Sequence, residues 1–151
     1  MVLIDIENMA GTPSPTALDV DQVKAALRTA IPDLEQAQCV VACSHRAAAV
    51  VSFGFPAALR RWRSGIDGAD RALMGELSDL RVMKRFGKVT ICSGDGIFTE
   101  SIAAIAELGV ETTVVSLQGH LSKRLKCAAR SVVLVALGDT PPPVSALKGA
   151  A

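Results

Sequence analysis

Apolar residues in this chain fall into short blocks set between helical periodicities. Val2–Ile6, Gln38–Ser44, Val89–Cys92 and Thr112–Ser116 are brief apolar runs, rich in Val, Ile and Cys, of the kind buried on both faces of a parallel sheet. Ala57–Arg63 is a weaker run and predicts a third, partly exposed strand. Val132–Leu137 is a candidate sixth. Between these lie segments with a period near 3.6. Asp19 and Asp21 open one, with Val23, Ala26, Leu27 and Ala30 on a single face and Pro32 closing it. His45–Val51 predicts a short helix. Asp70–Phe86 predicts a long one, with Leu73, Leu77, Leu80 and Met83 in register, and Phe98–Leu108 another, stopped by Gly109. Leu121–Ala129 predicts a short basic helix. Breakers place loops at residues 11–16 and turns at 65–68 and 93–96.

Strands that alternate with helices imply right-handed crossovers. The expected fold class is therefore α/β, a three-layer αβα sandwich around a mainly parallel sheet. At 151 residues the chain suits one domain, expected over 1–137, with a flexible Pro-rich tail over 138–151. Half the residues are hydrophobic but only 3% are aromatic, so the core must be aliphatic. No apolar run has the length of a membrane helix, and Asp5 interrupts the first run too early for a signal peptide. The expectation is a cytoplasmic protein with no membrane partner. Homodimerisation is neither required nor excluded.

In such sheets the ligand crevice lies beyond the carboxyl ends of the strands. Asp5 and Asn8 follow the first strand, Asp95 follows the fourth, and Asp70 opens the helix after the third. If the first and fourth strands are neighbours, Asp5 and Asp95 face one crevice and Asp70 can reach it. Clustered carboxylates repel unless a cation lies between them. Oxygen ligands of this kind suit Mg²⁺ or Mn²⁺. Each acid also has an ordinary structural use: a turn former at Asp5, a helix cap at Asp95, a first-turn acid at Asp70.

Net charge is +1, so partners must be sought in the charge distribution. Arg60, Arg61 and Arg63 flank Trp62, and Lys123 and Arg124 open the basic helix. They are candidates for phosphate contact with RNA, or simply solvated faces. Trp62 could stack on an unpaired base, whereas core packing suits Phe98 better. Cys39, Cys43, Cys92 and Cys127 form no CxxC pair, and His45 and His120 do not complete a zinc site; buried free thiols are expected in the strands. No GxGxxG or Walker loop is present, and Glu7 stands where an aspartyl phosphotransferase would need its second Asp.

The motifs together resemble the NYN domain, a branch of the PIN-like nuclease superfamily. Leu3–Asn8 is similar to its opening strand with Asp-x-x-Asn, Gly68–Leu73 to its central Gly-x-Asp, and Val89–Phe98 to its Ser-Gly-Asp-x-x-Phe. Leu108–Val115 and Leu121–Ala129 are similar to the segments that follow. The resemblance implies a divalent-metal ribonuclease with Mg²⁺ or Mn²⁺ held by Asp5, Asp70 and Asp95, products bearing 5′-phosphates and 3′-hydroxyls, and Asn8 and Ser93 orienting water or metal. Glu76 matches a further family acid after the middle Asp. Ile97 stands where many members carry a second Asp, which removes one ligand. The alternative is a non-catalytic RNA-binding or interaction domain on the same scaffold.

Overall fold

The structure is a computed structural model and describes residues 1–138 together with the backbone of Ser145–Lys148. Residues 139–144 and 149–151, and with them most of the expected tail, lie outside the described residues. In chain order the elements are β1 (Val2–Asp5), α1 (Ile6–Ala10), α2 (Ala17–Ala30), β2 (Cys39–Cys43), a 3-10 turn (His45–Ala47), α3 (Ala48–Gly54), β3 (Leu59–Trp62), α4 (Gly68–Leu77), α5 (Leu80–Met83), β4 (Lys88–Cys92), a second 3-10 turn (Gly96–Phe98), α6 (Thr99–Glu107), β5 (Glu111–Leu117), α7 (Lys123–Ala128), β6 (Ser131–Val135) and β7 (Ser145–Lys148).

The strands form one sheet in the order β3-β2-β1-β4-β5-β6-β7. The first six run parallel, and β7 pairs antiparallel with β6. From β1 the chain builds outward to β2 and β3, then crosses back to β4 and builds the other way. The order therefore reverses between β1 and β4, which are hydrogen-bonded neighbours with Val2 opposite Thr90 and Ile4 opposite Cys92. A ligand crevice is expected beyond the carboxyl ends of these two strands.

Strand alternation sends side chains to two cores. Val2, Ile4, Val41 and Cys43 face α1, α2 and α3, where they meet Ile6, Met9, Val20, Val23, Leu27 and Val51. Leu3, Val40, Ala42, Val89 and Ile91 face α4 to α7, where they meet Leu73, Leu77, Met83, Phe98, Ile102, Ile105 and Leu125. These two aliphatic layers make the three-layer sandwich. Among the described residues no helix is long and apolar enough to cross a membrane.

Four local expectations need correction. The first strand ends at Asp5, because the Asp5 carboxylate accepts from the Asn8 amide and caps α1. The helix after residue 16 starts earlier than Asp19, because the Thr16 hydroxyl and the Asp19 carboxylate cap each other's backbone N–H groups. The helix expected over His45–Val51 is a 3-10 turn that passes into α3. The single helix expected over Asp70–Phe86 is two: Asp79 accepts from the amides of Arg81 and Val82, each at 3.1 Å, and so starts α5 afresh. The apolar register across that break had hidden it, since Leu73, Leu77 and Met83 are all buried.

Candidate active site

Asp5 ends β1 and is 3% exposed; Asp70 lies in the first turn of α4 and is 9% exposed. Asp70 is placed by tight backbone packing. A Cβ on Gly68 would stand 2.2 Å from the Arg63 carbonyl oxygen, so only glycine lets α4 begin this close to the end of β3. The residue before it, Asp67, adopts a left-handed φ of 55°, the kind of conformation that Asp tolerates better than most side chains.

The two carboxyls are in hydrogen-bond contact. Burial pushes the Asp5 carboxyl well above the ordinary carboxylate range, and its hydrogen bond and charge repulsion with Asp70 add to the rise. The Asn8 amide and the Ser93 hydroxyl oppose it. Asp70 is also raised, first by burial, then by the nearby charges of Asp95, Asp67 and Glu7; the hydrogen bond from Asp5 acts the other way. Both carboxyls thus hold a proton more tightly than a free carboxyl does, in a field of further acids. Among the described residues neither acid has a salt-bridge partner.

A crevice of about 220 Å³ opens here, lined by Asp5, Glu7, Asn8, Asp67 and Asp70 with Gly65, Gly68 and Ala69. Ser93 follows β4 and is fully buried. Its hydroxyl donates to Asp5 at 3.2 Å and accepts the Asp95 amide at 3.3 Å. The Asn8 side-chain oxygen accepts the Gly94 amide at 2.9 Å. These bonds tie the loop after β4 to the start of α1. Asp95 itself caps the 3-10 turn, accepting from the Ile97 amide at 2.9 Å; it does not line the crevice, but its charge is felt by Asp70.

The structure brings together Asp5, Asp70, Asn8 and Ser93, with Asp95 close behind. Glu76 is not brought there. Its carboxylate is paired with the Arg61 guanidinium. Six residues along a helix turn a side chain roughly 120° away from Asp70, which is why the two acids of α4 diverge. Arg61 is accordingly engaged, and Arg60 donates to the Pro56 carbonyl at 2.8 Å. Arg63, Lys123 and Arg124 are exposed. Phe98 is fully buried, so its ring is closed to bases, while Trp62 is half-buried against the core. Cys43 and Cys92 are buried, Cys39 is half-buried, and all four thiols are free.

Glu7 and Asp67 are crevice residues that sequence reasoning passed over. Glu7 lies inside the same Asp-x-x-Asn segment as Asp5, and Asp67 opens the Asp-Gly step before Asp70; acids adjoining the carboxyl edge were the signal. Glu7 also accepts the Ser44 amide at 2.9 Å, which fixes α1 against the end of β2.

The donor set suits a small hard cation. No three His, Cys, Asp or Glu side chains are grouped to enclose an ion among the described residues. Mg²⁺ commonly uses one or two carboxylates and completes its shell with water and substrate phosphate. The close Asp5–Asp70 pair, buried without a salt-bridge partner among the described residues, fits that pattern.

The NYN domain profile matches residues 1–136. The chain belongs to the NYN domain family. NYN is a PIN-like nuclease family, so this chain carries a nuclease-type fold. A solved structure of a protein of unknown function from Vibrio parahaemolyticus is similar in fold, with a TM-score of 0.54 and 16% identity over 91% of each chain. No curated protein matches.

Proposed function

We propose that this NYN domain is a divalent-metal-dependent endoribonuclease that hydrolyses RNA phosphodiesters at the crevice beyond β1 and β4. The observation that carries the reading is the Asp5–Asp70 pair: two buried carboxyls side by side, both raised in pKa, with no salt-bridge partner among the described residues. Asp5 and Asp70 would hold Mg²⁺ or Mn²⁺, with Asp95 adding negative charge from the neighbouring turn. The chemistry a bound ion supplies there is activation of water and neutralisation of phosphoryl charge. Ser93 holds Asp5 in place through its hydroxyl, and Asn8 holds the Gly94 turn. Arg63, Lys123 and Arg124 supply exposed positive charge for the flanking phosphates. Four free thiols favour a reducing compartment, in keeping with the cytoplasm.

The test is incubation of end-labelled RNA with Mn²⁺. The wild type is expected to release 5′-phosphorylated fragments, and Asp70→Asn to be slower on the order of a hundredfold or more. Mn²⁺ binding read by electron paramagnetic resonance should weaken in the same variant. A second reading, RNA binding without cleavage, draws on Ile97 and on the use of Asp95 as a cap. Binding without cleavage, indifferent to Asp70→Asn, selects that reading.

A further inference from the structure

The acidic crevice does not end at Asn8. A second cleft, about 300 Å³, is lined by Glu7, Asn8, Gly11, Thr12, Pro13 and His120. It shares Glu7 and Asn8 with the crevice that holds the acid pair, so the two adjoin as successive parts of a groove along the carboxyl edge of the sheet. Together they reach the size of a site for a nucleotide-scale ligand. The two ends differ in charge. Asp5, Asp67 and Asp70 crowd one end, whereas Glu7 at the junction is the sole acid lining the other.

His120 closes the second end, and its backbone is fixed. Its amide donates to the Leu117 carbonyl at 3.1 Å, and the Ser122 amide donates to the Gly94 carbonyl at 2.9 Å. A Cβ on Gly94 would stand 2.3 Å from the His120 carbonyl oxygen, so the loop bearing His120 lies directly on the turn that bears Asp95. Gly11, at φ 68°, brings the opposite wall within ordinary contact of the imidazole: a Cβ there would be 4.0 Å from Cε1. The imidazole makes no side-chain hydrogen bond among the described residues, and it is exposed. An imidazole with free nitrogens on a fixed backbone, at the less acidic end of the groove, is suited to donate to an anionic oxygen.

We propose that this second cleft seats the nucleotide beside the scissile phosphate, and that His120 holds that neighbour's phosphate by a hydrogen bond. The inference rests on the RNA-cleaving reading of the acid crevice. Each nucleotide brings one negative charge, and the acid-rich end repels the neighbour's phosphate. The strand therefore needs a donor where the acids stop, and His120 stands there.

The experiment separates binding from cleavage. Binding of a fluorescein-labelled single-stranded 12-mer RNA is followed by anisotropy in EDTA, and wild-type cleavage of the same RNA is followed in Mn²⁺. Loss of one charge-assisted hydrogen bond should raise Kd about tenfold in His120→Ala. His120→Gln, which keeps a donor, should recover part of the loss, and neither variant should change the melting temperature. An unchanged Kd in His120→Ala, a loss not recovered by Gln, or no binding by the wild type overturns the inference. Binding that depends on His120 while Mn²⁺ gives no cleavage sinks the nuclease reading and leaves the cleft assignment standing.

Discussion

The Ser93 hydroxyl donates to the Asp5 carboxylate at 3.2 Å across 88 positions of the chain, inside a site where both residues are buried. This bond ties the ends of the two central strands and holds one member of the acid pair at its rotamer. Ser93→Ala removes it and also leaves the Asp95 amide without its acceptor. Loss of a buried partner should cost about 1–3 kcal/mol in urea unfolding. Mn²⁺ affinity should fall too, since Asp5 is then free to turn. Unchanged stability and affinity would mean that the bond positions nothing.

The acid pair makes metal-free stability depend on pH. The folded pKa of Asp5 lies above the ordinary value of 3.8, so the folded state holds its proton more tightly than the unfolded chain does. Stability is then greatest below about that unfolded value and is lost as pH rises through the folded one. Asp70, shifted the same way, widens the effect. Melting temperature measured in EDTA should fall with rising pH, and Asp5→Asn should flatten that fall and melt higher than wild type at neutral pH. Added Mn²⁺ should restore the wild type and not the variant. A wild-type profile that rises with pH over the same window contradicts the upward shift of the pair.

Glu76 provides a contrast. It pairs with Arg61, with side-chain exposures of 24% and 41%, so the ion pair is partly screened. Glu76→Gln should cost at most about 1 kcal/mol and leave the rate of RNA cleavage unchanged. A hundredfold loss of rate at wild-type stability would return Glu76 to the reaction.

Gly94 tests the contact between the two loops of the groove. A methyl group there meets the His120 carbonyl oxygen and, at 2.5 Å, the Ser116 hydroxyl. Gly94→Ala should destabilise by about 1–3 kcal/mol, as overpacking does, and should weaken both Mn²⁺ and RNA binding because it pushes the loops apart. Titration of each ligand against the folded variant reads both effects. A fully stable variant with intact binding would show that the loops yield freely.

The sheet was legible in the sequence because its strands are continuous apolar blocks, and blocks of that kind have few other uses. Asp5 and Asp70 were legible for a related reason: an acid at the end of a strand block, or at the start of the helix that follows a strand, falls on the carboxyl edge. Helix boundaries were not. α1 has five residues, too few for periodicity, and its cap is the acid that ends the strand. The break before α5 rests on one carboxylate, while the apolar spacing runs through it unbroken. Glu76 turns away from Asp70 because family spacing counts residues and a helix counts angle. Glu7 and Asp67 became visible only once α1 and the left-handed turn had set their directions.

The pairing of β1 with β2 on one side and β4 on the other also governs how the molecule is made. Parallel neighbours separated by so much chain close late and at high entropic cost. A growing chain that already contains Asp5 and Asp70 still lacks the strand that completes their surroundings until residue 92 has emerged and joined. During synthesis, then, the surroundings of the acid pair are completed by the closing of the sheet's centre, and no partly folded chain without β4 carries the finished groove.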